Sequence, residues 1–443
     1  MKNSITFSKY GKTALSVIFW LLLWQLLSLW VANDLLLVGP LGTILRLFEL
    51  LPDKTFWLSI AASGLRILSG YLIGFLTGVL LAILSLKRPL LEELLKPFIA
   101  FLKSVPVAAF VVLFLIWWRS NVLAVAICIC IVVPQIYINT LEGLKATDKK
   151  LLEMADVHGV SLLGRLRYIY RPALRPYMES AVKVSMGMGW KSGIAAEVIG
   201  MPQTSIGMRL YSSKISLDTA GVLAWTLTII AISFLTEKIA LKLLDLLMKR
   251  NSPIENSKER ESGQADIKLT LAGICKNYGD KCVLKDYDAE YRTGETYTLR
   301  EVSGWGKTTL FRIISGLENS DAGEITITGK SGGRKLSYLF QEDRLCEDYN
   351  AVKNVALVCG SEKKARSILL RLLNEEDLDK AVKELSGGQK RRVAIARAYS
   401  IKSDIILLDE PFNGLDDLSR QTVKKFMEEE GKGRITIVAS HID

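Results

Sequence analysis

Apolar runs long enough to cross a bilayer, separated by short basic loops, fill roughly the first 250 positions; after Lys249 the pattern changes to the shorter, mixed periods of a soluble α/β domain. A helix needs about 20 apolar residues to span hydrocarbon, because a backbone amide facing lipid has no water to bond. On that basis the runs predict about six transmembrane helices, near residues 13–32, 65–86, 97–118, 121–141, 177–199 and 221–247. Pro97 and Pro106 mark the third as the one to kink or shorten. The start, "MKNSITFSKYGKTALSVIFWLLLWQLLSLW", is basic like a signal peptide, but its apolar run is too long and no small-residue cleavage site follows, so it reads as the first span.

Lys and Arg set the sidedness. Lys2, Lys9 and Lys12, the Lys87–Arg88 pair, the long loop from Lys145 to Arg175, and Lys249 with Arg250 all fall on one face, which predicts both ends in the cytoplasm. Trp117 and Trp118 sit where amphipathic rings are expected at a membrane surface. The long loop contains "LLEMADVHGVSLLGRLRYIYRPALRP", in which Leu151, Leu152, Val157, Val160, Leu162 and Leu163 form a short amphipathic segment. Gly159 can end a helix there and turn the chain. His158 has no second histidine or carboxylate cluster near it and is expected on the surface. Lys191 and Glu197, charged and close to hydrocarbon, are expected to face a cavity or to be paired. From Lys249 to Asp266 the chain is polar and without apolar period, a tether between a membrane domain (1–248) and a soluble one (267–443).

The net charge of +11 changes little, because the basic residues lie in loops between spans rather than along one face, which excludes a nucleic-acid partner. Six cysteines show neither metal-ligand spacing nor the density of a disulfide scaffold, and are expected to be reduced and buried.

The chemistry lies in the soluble half. "TYTLR" predicts a strand and "KTTLFRIISGL" a helix, joined by "EVSGWG". A strand, a glycine-rich turn, a lysine and a hydroxyl at a helix start are what a phosphate-cradling loop needs, and they single out Ser303, Gly304, Trp305, Gly306, Lys307, Thr308 and Thr309. Glu301 stands where the first glycine of such a loop belongs. A carboxylate there would cost little pointing outward, but about 4 kcal/mol if it stood 4 Å from a phosphate charge at an effective dielectric of 20.

Further on, "LSYLFQEDRL", "LSGGQKRRVAIARA", "IILLDEPFNGLD" and "ITIVASHID" follow with the order and spacing of ABC ATPases, which the whole of 267–443 resembles. The resemblance implies ATP and Mg2+ as cofactors. It gives Gln341 contact with Mg2+ and the attacking water, Asp409 and Thr308 to Mg2+, Glu410 the role of base and His441 that of γ-phosphate switch. Tyr278 would stack on adenine. Ser386, Gly387, Gly388 and Gln389, with Asp416, would complete a site held by another subunit. In the membrane half, Glu153, Ala155, Gly159, Ile169 and Pro172 resemble the EAA loop (about 145–175) of binding-protein-dependent ABC importers. "WKSGIAAEVIG" and "DTAGVLAWTLTIIAISFLTEK" are similar to permeases of the nitrate, sulfonate and taurine importers.

The expected fold is thus an all-α polytopic membrane domain followed by an α/β P-loop NTPase domain of ABC type. The implied function is ATP-driven import of a small anion, sulfonate or related precursor through the cytoplasmic membrane of a prokaryote. The implied partners are a second copy or a similar half-transporter, an external solute-binding protein and the lipid bilayer. Two other classes fit less of the chain: a nucleotide-sensing membrane regulator that does not pump, and an export half-transporter, which would lack the EAA loop.

Overall fold

The computed structural model describes residues 2–248, 266–302, 304–329 and 336–440. The predicted tether, Ser303 and His441 lie outside the described residues, apart from the tether's last position, Asp266. The chain divides into two compact units, Met1–Ala146 with Ala173–Lys249, and Thr147–Pro172 with Arg250–Asp443.

The first unit is helical: α1 (Lys2–Val31), α2 (Pro40–Leu50), α3 (Lys54–Lys87), α4 (Pro89–Ser104), α5 (Val107–Trp117) and α6 (Ser120–Lys145). In the long loop follow α7 (Lys149–Val157), α8 (Leu162–Arg165) and a π-helical turn (Leu166–Tyr170). Then come α9 (Arg171–Gly200), α10 (Ile206–Ile215) and α11 (Thr219–Met248). Among the described residues four helices are long and apolar enough to cross a membrane: Gly11–Val31 within α1, then α3, α6 and α11. The third predicted span is the bent pair α4 and α5, which turn by 102° at Val105–Pro106 and make five if counted as one. Pro106 removes an amide and fixes φ where the chain changes direction. The fifth predicted span falls on α9, whose Lys183, Ser185, Lys191, Ser192 and Glu197 leave it short of the apolar length of the others.

The core of this unit is set by a glycine ridge. Gly70, Gly74 and Gly78 recur every four residues on α3 and lie against α6, where a Cβ at Gly70 would come within 2.6 Å of the Val125 carbonyl oxygen and one at Gly78 within 2.9 Å of Ile136 Cβ. Small residues at that spacing let two backbones approach and gain dispersion contact where lipid offers no hydrophobic drive. Lys191 is exposed, and the partner of Glu197 is Arg66. Glu197 is almost fully enclosed and accepts from Ser63 Oγ at 2.6 Å, Arg66 Nη1 at 3.1 Å and the Gly207 amide at 3.3 Å, tying α9 to α3 and to the start of α10. A carboxylate in that position is affordable only because every oxygen is met.

The second unit contains β1 (Lys268–Tyr278), β2 (Lys281–Arg292), β3 (Thr296–Leu299), α12 (Lys307–Ile314), β4 (Ala322–Thr328) and β5 (Leu336–Leu339). Helices α13 (Ala351–Cys359), α14 (Glu362–Leu369), α15 (Glu375–Leu378) and α16 (Gly387–Tyr399) follow, then β6 (Ile405–Asp409), α17 (Asp417–Glu430) and β7 (Ile435–Ala439). One sheet is antiparallel, β2-β1-β4; the other is parallel, β3-β7-β6-β5. Strands β5, β6 and β7 are buried at every position, which is why "LSYL", "IILLD" and "ITIVA" read as near-continuous apolar runs rather than alternating ones. Because the strands run the same way, the residues after β3, β5, β6 and β7 emerge at one edge of the sheet, where ligands of open α/β sheets bind. Of the cysteines, Cys128, Cys346 and Cys359 are buried as expected, whereas Cys282 is exposed and Cys130 and Cys275 are half-buried; all six are free thiols.

Candidate functional site

At that edge the turn after β3 leads into α12. Gly304 and Gly306 adopt φ of +87° and +110°, the left-handed region that a side chain would strain, and α12 starts directly after them with no side-chain cap among the described residues. Lys307 is buried and its ammonium donates to the Glu301 carbonyl oxygen across the turn. Glu301 is exposed, and among the described residues it is not one of those with positive φ. The position expected to need glycine therefore carries a side chain without backbone strain.

Thr308 Oγ1 donates to Asp409 Oδ2 at 2.9 Å, with the Tyr338 hydroxyl 3.4 Å from the same oxygen. Burial, and behind it the charge of Glu410, push the Asp409 carboxyl above its ordinary range, with the Thr308 bond opposing. A hydroxyl and a carboxylate are hard oxygen donors of the kind Mg2+ takes, so the residues fit that ion. Among the described residues no group of three or more His, Cys, Asp or Glu could hold a metal, so phosphate and water oxygens would supply the rest of the shell.

Glu410 follows with φ +50°, its amide donating to the Ala439 carbonyl at 2.9 Å and its Oε1 3.5 Å from Gln341 Nε2. A non-glycine residue in this region is costly and needs surrounding bonds to hold it. They come from Arg391, a residue not singled out in the sequence. Its buried guanidinium donates to the carbonyls of Asp409 (2.6 Å), Glu410 (2.7 Å), Phe340 (2.8 Å) and Gln341 (3.2 Å), fastening the ends of β5 and β6 together. The only signal for it was an arginine one turn inside a helix that otherwise starts with glycines.

Tyr278 ends β1, half-exposed, with its hydroxyl donating to Glu318 Oε1 at 2.5 Å. The predicted inter-subunit group is built on the starts of two helices. Ser386 caps α16 in a capping box with Gln389, whose Nε2 donates to Asp377 at 2.6 Å; Asp416 caps α17 through the Ser419 amide at 2.7 Å. Gly388 sits by Gly414 and Leu415, so the α16 start and the Asp416 turn are neighbours on an exposed face.

The 147–172 segment belongs to this same unit. Met154, Ala155, Val160, Tyr168 and Ile169 are buried in one core with Leu310, Phe311, Phe340 and Leu357. Glu153 accepts from Arg312 Nη1 and Nη2 (3.1 and 3.0 Å) and from Arg344 Nη1 (2.7 Å), and chiefly the Arg312 bond holds its carboxyl below the ordinary range. Gly159, at φ +65°, ends α7 as expected. Leu162 and Leu163 are exposed rather than part of the apolar face. His158 is buried, contrary to the surface position expected of it. Its ring lies 2.9 Å from the Met154 carbonyl through Nδ1, a bond four residues back that lets the imidazole enter the core.

Glycine turn, buried lysine, helix start and the Thr308–Asp409 pair have the make-up expected of a P-loop. Comparison with known proteins gives the family. The model for "ABC transporter" matches residues 284–413, and that for "binding-protein-dependent transport system inner membrane component" matches 70–249. The aliphatic sulfonates import ATP-binding protein SsuB 1 of Rhodococcus jostii (strain RHA1) is 41% identical over 37% of this chain and 67% of its own length. The spermidine/putrescine import ATP-binding protein PotA of Nitratidesulfovibrio vulgaris is 36% identical over 34% of this chain and 45% of its own. The chain thus spans between about half and two thirds of the length of these relatives. Among solved structures, a dimeric bacterial ABC transporter cassette is 27% identical, with a TM-score of 0.36, over 39% of this chain and 88% of that one. The chain belongs to the ABC transporters, and carries in one polypeptide an inner-membrane permease component and an ABC-type ATPase.

Proposed function

We propose that this chain is a fused half-importer of the prokaryotic cytoplasmic membrane, with residues 1–248 as permease, 249–266 as tether and 267–443 as a cytoplasmic cassette. It works with a second copy, or a similar chain, and with an external binding protein that delivers a small solute. Sulfonate-like or other small anions suit the sulfonate importers among the relatives. The observation that carries the reading is Glu153. A residue of the permease sequence is bonded to Arg312 on the helix that begins with Lys307, so movement of that helix is transmitted to the permease chain.

In this mechanism Lys307 and the amides at the start of α12 hold the terminal phosphates and Tyr278 stacks on the base. Mg2+ held by Thr308, Gln341 and Asp409 would neutralise charge on the phosphates. Glu410, oriented by Arg391 and Gln341, polarises the attacking water, and Ser386, Gly387, Gly388, Gln389 and Asp416 close on the partner's nucleotide. Ser303, Trp305, Thr309 and His441 are assigned to the same site. The test is ATP hydrolysis and solute uptake by the purified chain in lipid vesicles, with candidate binding proteins. Glu410→Gln should reduce turnover at least ~100-fold and retain ATP binding; undiminished turnover would sink the assignment.

A further inference from the structure

One guanidinium is divided between two carboxylates. Arg312 gives Nη1 and Nη2 to Glu153 and Nε to Glu318 Oε2 at 3.2 Å, and the other oxygen of Glu318 takes the Tyr278 hydroxyl at 2.5 Å. Lys276 stands 3.5 Å from Glu318 and 5.6 Å from the centre of the Tyr278 ring, and is itself held by Asp321 at 3.2 Å. An unbroken path of bonded side chains therefore runs from α7 to Tyr278.

We propose that Glu318 is a positioning residue that presets the Tyr278 ring for adenine, and that through Arg312 it makes adenine affinity depend on whether Glu153 is seated. The inference rests on the reading of Tyr278 as the adenine platform. A half-exposed tyrosine samples several rotamers, and a base that stacks on it must first freeze one of them. The Glu318 bond removes that cost in advance. Glu318 can perform this role only while it is itself fixed. Burial works against its charge, and the Tyr278, Arg312 and Lys276 bonds outweigh burial and hold its carboxyl below the ordinary range. Arg312 in turn has its fork occupied by Glu153, which sets the plane of the guanidinium and so the direction of Nε. When Glu153 withdraws, two donors lose their acceptors, the guanidinium is free to turn, and Glu318 loses its fixed partner. Nucleotide grip and the seating of the 147–172 segment are then one equilibrium, in which each favours the other.

The test is a mutant cycle on the full-length chain in lipid, read as KM for ATP against kcat. Glu318→Gln and Tyr278→Phe should each raise KM roughly three- to tenfold, the range for losing one half-exposed charged hydrogen bond, with kcat changed less than twofold. The double variant should be no worse than the poorer single one. Glu153→Gln should raise KM in the parent and leave it unchanged in the Glu318→Gln background. Multiplicative effects of Glu318→Gln and Tyr278→Phe, or an unchanged KM in Glu153→Gln, would overturn the proposal. If Glu318→Gln does not fold, Tyr278→Phe with Glu153→Gln closes the same cycle. Equilibrium binding of a fluorescent ATP analogue yields the same ratios without turnover, so a chain that fails to hydrolyse ATP would refute the ATPase mechanism and still decide this coupling.

Discussion

Acid should loosen the 147–172 segment from the cassette through one side chain. His158 is 8% exposed, with Nδ1 on the Met154 carbonyl at 2.9 Å. A carbonyl only accepts, so Nδ1 carries the proton. Nε2 faces the Ser337 hydroxyl at 3.4 Å, and that hydroxyl spends its own proton on the Ala398 carbonyl at 2.5 Å. Burial first, and then the charge of Arg397, push the imidazole from 6.5 down to about 3, with the Met154 bond acting the other way. The seated ring is therefore neutral. Its value when seated lies below its value when released, so protons bind the released state first. Seating is fully favourable above about pH 6.5 and is lost progressively as pH falls toward about 3. At about pH 5 the penalty is RT ln(1 + 10^1.5), about 2 kcal/mol, against under about 0.1 at pH 7.5. Glu153 acts in the same direction, but its carboxylate, held below 4.5, titrates at lower pH, so mildly acid conditions isolate His158. Hydrogen exchange of amides in 147–172, corrected for intrinsic rates, should show the opening constant rising about 30-fold between pH 7.5 and 5. His158→Asn should flatten that rise. An equal pH response in wild type and variant, or none in wild type, would refute the reasoning.

Two further outcomes follow from the geometry. Glu301 is exposed, so Glu301→Gly removes only a screened charge; KM for ATP should fall by no more than about fivefold, less in high salt, and a change of two decades in titrations would mean that the carboxylate faces the phosphates. Gly70→Ala drives a Cβ to within 2.6 Å of the Val125 carbonyl, and since backbone cannot turn aside, the permease unit should lose about 1–3 kcal/mol in thermal or denaturant unfolding in detergent; unaltered stability would show that α3 and α6 are not held by close backbone approach.

What the sequence made legible had either a period or a fixed spacing. The buried parallel strands β5, β6 and β7 appear as near-continuous apolar runs, and Lys307, Thr308, Asp409 and Glu410 fall together because parallel strands end at one edge. The membrane helices were legible where lipid rewards an apolar run. They were less so at α9, where Glu197 replaces hydrophobicity with a satisfied bond to Arg66, and at α4 and α5, where a proline turns one run into two helices. Partner choice over long separations was not legible. Arg344 meets Glu153 from 191 positions away, and Arg391 is one cation near a helix start until the fold points it at the carbonyls that end β5 and β6.

His158 shows what kind of signal decides such cases. Judged by its polarity and its lack of titratable neighbours, an imidazole belongs in water. But a polar side chain is excluded from a core only by the bonds it would leave unmade. On a helix that ends at the next glycine, the carbonyl four residues back is at hand for one ring nitrogen. The remaining nitrogen faces the Ser337 hydroxyl and stays unprotonated, because burial costs the neutral ring little and the charged one much. The four-residue step between Met154 and His158 thus admits the histidine to the core, and it is the burial that follows, with the charge of Arg397, that makes its seat sensitive to acid, the Met154 bond working against both.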